Sequence, residues 1–202
     1  KINFKKRNKI MVFVRTAGFE VETYSKHQEF QIYNNCLSKV LSNFNAHDLK
    51  ETTLKLKHTF RETNPNELYF FKKKFPLLKI DEGVGSVYSL FEQTKLSIFL
   101  YFSTGVLESL SLDIPTVFYC PKKLVYIDPA EKKYLDILNK CKILSYNEEE
   151  FIDNINFIIK DVKKWWLEKE VINGKNEALN RYSKIGKKNS VFKIVNILKS
   201  LS

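Results

Sequence analysis

The run Tyr101-Phe-Ser-Thr-Gly-Val-Leu-Glu108 sets two hydroxyls, a glycine and a carboxylate directly behind the apolar segment Leu96–Phe102. A helix starting near residue 104 leaves its first backbone amides without internal partners, and those amides together with the helix dipole favour an anion. Ser103 and Thr104 are therefore candidates to hold a phosphate group. Ser103 in that place also fits a plain N-cap, a role that Ser and Thr fill without any ligand. Gly105 permits close approach of backbone to a ligand. Glu108 lies one turn further along the same helix. It can accept hydrogen bonds from sugar or ribose hydroxyls, and a solvent-facing carboxylate is the alternative.

Other residues are expected at the same edge. The stretch Leu54-Lys-Leu-Lys-His-Thr-Phe-Arg61 ends a second apolar segment, so His58 and Arg61 can donate to phosphate oxygens if the strands run parallel. Arg15, behind the first apolar run, is a third basic candidate. The loop Ile80-Asp-Glu-Gly-Val-Gly-Ser86 offers Gly83 and Gly85 as a nucleotide loop, but lacks the full GxGxxG and follows the third strand instead of the first. The chain contains no GxxxxGK[ST], GxSxG or HExxH, which argues against a P-loop NTPase, a serine hydrolase elbow and a zincin. Cys36, Cys120 and Cys141 form no CxxC pair, so they read as buried thiols in a reducing compartment; no metal site is expected.

Short apolar runs alternate with helical periodicity along the chain. Strands are expected near 9–15, 52–57, 78–80, 96–102, 115–119 and 141–144, with helices near 27–44, 66–74, 86–94, 104–112, 131–140 and 148–166. The last of these has the clearest apolar stripe, from Phe151 to Trp166. Residues 170–202 are more polar, with Asn173-Gly174 and Ile185-Gly186 as expected breaks and a terminal helix near 190–200. Such alternation predicts an α/β fold: a Rossmann-like parallel sheet with helices on both faces. In that fold ligands bind outside the carboxyl ends of the strands. The expected organisation is a linker or truncated N-terminal region over 1–8, a Rossmann-like domain over 9–166 and a helical extension over 167–202.

Composition sets the outer bounds. The chain has 202 residues, 44% of them hydrophobic and 14% aromatic, far from the disordered class. No apolar run approaches the roughly 18–20 residues needed to span a bilayer. The formal net charge of +11 is mostly lysine scattered over the sequence, which reads as a solvated basic surface more readily than as a nucleic-acid stripe. The clusters at Lys5-Lys-Arg7, Lys72-Lys-Lys74 and Lys187-Lys188 still favour acidic partners.

The run Phe102-Ser-Thr-Gly-Val-Leu-Glu-Ser-Leu-Ser-Leu-Asp-Ile-Pro-Thr-Val-Phe118 resembles a segment of a transferase family found in bacterial O-antigen and surface-polysaccharide gene clusters. The similarity continues through Tyr134–Leu138, Ile143-Leu144 and the tryptophan pair Trp165-Trp166, and covers roughly 50–170. The resemblance implies the C-terminal, donor-binding half of a GT-B-type glycosyltransferase, a superfamily with two facing Rossmann-like domains. It implies a nucleotide-sugar donor that is a substrate and not a cofactor, a glycan or lipid-linked acceptor, and a cytoplasmic place that extends to the inner face of the membrane through peripheral contact. On this reading Ser103, Thr104 and the amides at 104–106, Gly105 included, hold the donor phosphate, His58 and Arg61 neutralise the departing nucleotide, and Glu108 reads hydroxyls, with Arg15 a further basic candidate at the same edge. A CDP-polyol phosphotransferase or a sugar-nucleotide epimerase on the same scaffold is the alternative among enzymes, and a basic nucleic-acid-binding α/β module is the alternative of another class.

Overall fold

Among the described residues, six short strands alternate with helices along the chain, and the most apolar of them are Lys9–Phe13 and Thr116–Tyr119. The computed structural model describes residues 4, 7–14, 24–56, 65–83 and 87–182, with 24–28, 65–67 and 87–88 described by their backbone alone. In order, the elements are β1 (Lys9–Phe13), α1 (Tyr24–Ser42), α2 (Ala46–Glu51), β2 (Thr52–Lys55), α3 (Pro65–Lys74), β3 (Lys79–Asp81), α4 (Val87–Phe91) and β4 (Thr94–Phe99). There follow α5 (Thr104–Ser111), β5 (Thr116–Tyr119), α6 (Pro129–Lys140), β6 (Leu144–Ser145), α7 (Glu148–Ile158), α8 (Val162–Trp166) and α9 (Lys169–Tyr182). The strands form one sheet in the order β3-β2-β1-β4-β5-β6, with every neighbouring pair parallel. This is the expected Rossmann-like arrangement.

The physical reason lies in the central strands. In β1, β4 and β5 nearly every residue is buried, the pattern of strands covered on both faces. Right-handed crossovers then put the helices after β1 and β2 on one face and those after β4 and β5 on the other. On the first face α1 packs against α7; on the second α9 packs against α6 and α5. Tyr33 of α1 meets Tyr119 of β5 edge-on, and Tyr119 stacks on Phe151 of α7.

Four expectations need correction. The sixth strand, expected over 141–144, is Leu144–Ser145, behind a turn in which Lys142 has φ 61°. The segment expected as a strand over 96–102 begins at Thr94 and ends at Phe99. Its pairing stops once the Leu100 amide has donated to the Phe13 carbonyl, and the chain then turns into α5. The single helix expected over 148–166 is two. Asp161, with φ −153° and ψ 79°, interrupts it and caps α8 by accepting from the Lys164 amide at 2.9 Å. Asn173-Gly174, expected as a break, lies inside α9. Gly174 is where α9 crosses α6: a β-carbon there would sit 2.6 Å from Cys141 Sγ and 3.0 Å from Ile137 Cγ2. The expected terminal helix near 190–200 lies outside the described residues.

Candidate functional site

The strand order reverses direction between β1 and β4, because the chain builds outward to β2 and β3 on one side and to β5 and β6 on the other. In sheets of this kind, ligands bind in a crevice outside the carboxyl ends of the strands at such a reversal. Ser103 and Thr104 follow β4 into that crevice. Ser103 occupies the N-cap position of α5 with extended backbone, φ −145° and ψ 169°, yet its hydroxyl makes no capping hydrogen bond. Only its carbonyl is used within the helix, accepting from the Val106 amide at 3.1 Å. The contrast within the chain is direct. Asn45, Asp128, Asn147 and Asp161 each cap their helices with a side-chain oxygen. The first amides of α5 thus carry the helix dipole without a side-chain acceptor from Ser103.

Thr104 and Glu108 are exposed on this helix and Ser103 is half-buried. Gly105 has a packing role under the crevice. A β-carbon on it would lie 3.0 Å from Phe99 Cε1 and 3.5 Å from Ser103 Oγ, and Phe99 is fixed by stacking on Phe13 at 4.2 Å with planes 5° apart. The absence of a side chain therefore lets the Phe99 ring sit beneath the start of α5.

Gly83 shares the carboxyl edge but not the crevice. It follows β3, three strand positions from β4, which at about 4.8 Å per strand is roughly 14 Å. Its positive φ of 90° closes a turn in which its amide donates to Asp81 Oδ1 at 2.8 Å. The same oxygen accepts from Lys55 Nζ at 2.9 Å, and Lys55 is only 7% exposed. Sequence reasoning missed this half-buried pair. The usable signal was a lysine inside an otherwise buried strand with an Asp-Glu-Gly turn further along the chain. Arg15, His58, Arg61 and Gly85 lie outside the described residues. The strand order does set the carboxyl end of β1, which Arg15 follows in sequence, beside that of β4.

A second feature of this edge is a cleft of about 540 Å³ behind β5 and β6, and its lining includes none of the predicted site residues. Lys122 and Lys123 of the β5–α6 connection, Tyr146 and Glu148 behind β6, and Asn35 and Lys39 of α1 line it. Lys39 pairs with Glu148, while Lys122 Nζ lies 4.7 Å from the centre of the Tyr146 ring. Burial, reinforced by the nearby Asp136 carboxylate, pushes the Tyr146 phenol up to about 12. The exposed Lys122 and Lys123 line the same cleft. These residues were not legible as a group because they come from three distant segments.

A family model described as LIC12162 family transferase matches residues 8–192, from the approach to β1 to beyond α9. The chain belongs to that family. It is accordingly a transferase, and the resemblance carried by the Phe102–Phe118 run is to a family of that class. Searches of curated proteins and of solved structures returned no match. Among the described residues of this LIC12162 family transferase, no group of three or more His, Cys, Asp and Glu side chains is placed to hold a metal ion. No described helix is long and apolar enough to cross a membrane. Cys36, Cys120 and Cys141 are free and buried. Asp113 of the Leu-Asp-Ile-Pro segment serves the fold: its Oδ1 accepts from Trp166 Nε1 at 3.1 Å and from Lys175 Nζ, tying the end of α5 to α8 and α9.

Proposed function

We propose that this LIC12162 family transferase is the donor-binding part of a GT-B-type glycosyltransferase, and that it moves a glycosyl group from a nucleotide-sugar to a surface-glycan or lipid-linked acceptor. The observation that carries the reading is Ser103: a serine at the N-cap of the helix behind β4, at the reversal of strand order, whose hydroxyl does not cap. Its hydroxyl, that of Thr104 and the amides at 104–106 would hold the donor phosphates. Arg15, His58 and Arg61 are the basic groups assigned to the departing nucleotide, and Glu108 reads ribose or sugar hydroxyls. Charge stabilisation on the leaving group is where such a domain contributes to rate, since only interactions stronger in the transition state accelerate the reaction. The adjoining cleft with Lys122, Lys123 and Tyr146 is the space assigned to the glycosyl unit.

Calorimetric titration with UDP, GDP, CMP, CDP and the matching nucleotide-sugars tests this. One nucleotide is expected to bind, and Ser103→Ala with Thr104→Ala should weaken it by about 1–3 kcal/mol, the scale of lost charged hydrogen bonds. Glu108→Gln should weaken the complete nucleotide-sugar and leave the bare diphosphate intact if it reads the sugar, or weaken both if it reads the ribose. Nucleotide binding by the full protein that is indifferent to all three substitutions would reject the site.

A further inference from the structure

At the opposite, amino-terminal edge of the sheet lies a cleft of about 390 Å³, within the range of roughly 300–1,000 Å³ typical of small-ligand pockets. Four cationic side chains line it: Arg7 just before β1, Lys95 in β4, Lys160 in the α7–α8 turn and Lys163 in α8. Among the described residues, no acidic side chain lines it. Ile159 and Val162 give it an apolar floor.

The nearby carboxylates are turned to other tasks. Asp48 reaches Lys95 only at 3.8 Å and is also bonded by the Asn45 amide group at 2.7 Å. Asp161, between the two lysines of the turn, accepts from the Lys164 amide. Asp113 attracts Arg7 at longer range but accepts hydrogen bonds from Trp166 and Lys175. One guanidinium nitrogen, Arg7 Nη1, is buried without any hydrogen-bond partner. Buried polar groups in folded proteins are nearly always paired, so Arg7, which lines the cleft, keeps a cationic group whose hydrogen-bonding capacity is not fully met within the fold.

We propose that this amino-edge cleft is a binding site for a phosphoryl-class anion, separate from the donor crevice at the carboxyl edge. Guanidinium and ammonium groups around a shared space match the several acceptor oxygens of a phosphate ester or diphosphate. A single carboxylate has too few oxygens to engage all four. The strands between the edges are five to six residues long in β1 and β4, or roughly 16–20 Å at about 3.3 Å per residue. A ligand here would therefore not touch Ser103. It would join the start of β1 and β4 to the α7–α8 turn.

The test is a titration of the full chain, labelled with ¹⁵N, with pyrophosphate at constant ionic strength. Amide shifts are read separately at Lys160–Lys163 and at Ser103–Gly105, so that anion held in the donor crevice is told apart. Saturable shifts at Lys160–Lys163 are expected, with affinity reduced at least tenfold by Lys160→Gln with Lys163→Gln and by Arg7→Gln. The lysine pair keeps the result readable if the Arg7 variant folds poorly. A second arm uses vesicles containing phosphatidic acid against vesicles of phosphatidylcholine alone. A response to the acidic vesicles but not to pyrophosphate would identify a lipid headgroup as the source of the same phosphoryl chemistry. Shifts confined to Ser103–Gly105, an equal response to chloride, or an affinity unchanged in the lysine variant would each overturn the proposal.

Discussion

At the scale of single residues, a serine at an N-cap has two separable roles, and the fold assigns them to different positions in this chain. Asn147 caps α7 through its side chain, accepting from the Glu150 amide at 2.7 Å, whereas Ser103 caps α5 through position alone. Asn147→Ala should therefore lower stability by about 0.5–2 kcal/mol, and Ser103→Ala by clearly less than Asn147→Ala. Urea denaturation of both variants checks this, and equal losses would mean that Ser103 does cap in solution. Gly105 separates the roles in another way. A methyl group there presses on Phe99, which cannot yield because it is stacked on Phe13. Gly105→Ala should thus destabilise by about 1–3 kcal/mol, the scale of an overpacked core. The hydroxyls, glycine and carboxylate of this helix were legible from type and spacing. What Gly105 touches was not, because Phe99 reaches it only after the chain has turned.

At the scale of elements, the βα alternation was legible because apolar runs and helical stripes change period at each boundary. The boundaries that failed were those set by contacts between elements. Gly174 reads as a break by propensity, but α9 continues through it because the helix gains close packing on α6. The crossing is tight. Gly174→Ala should cost about 1–3 kcal/mol of stability, since its β-carbon would meet Cys141 Sγ well inside contact distance. Removing that sulfur should restore room, so Cys141→Ala added to Gly174→Ala is expected to give a smaller loss than the sum of the two single losses. Neighbouring residues coupled in this way show interaction energies of about 0.5–3 kcal/mol. Strictly additive losses in a double-mutant cycle would show that α9 does not press on α6 at this point. The contact with Ile137 would remain, so full recovery is not expected.

At the scale of the whole molecule, the parallel sheet was predictable while the lysine-lined spaces at its two edges were not. Both depend on residues far apart in sequence, such as Lys39 with Glu148 or Arg7 with Lys163, which only the completed strand order brings together. The same compactness sets the response to alkali. Burial pushes Cys120 up from 9.0 to about 11 and Tyr146 from 10.0 to about 12, and it also raises Cys36, Cys141 and Tyr119. For each group the folded chain holds its proton to a higher pH than the unfolded chain. Stability is therefore fully present below the unfolded values and falls as pH rises through the window between the unfolded and folded ones. For Cys120 that window is about 9 to 11. The melting temperature should drop steeply across it, with little change between pH 7 and 8. Cys120→Ala removes one of the titrating groups, so its stability should fall with pH less steeply, by up to about 1.4 kcal/mol per pH unit within the window. All other groups are common to both proteins, and their effects cancel in the difference. Parallel pH profiles for the two would mean that the Cys120 thiol ionises as readily in the folded chain as in the unfolded one.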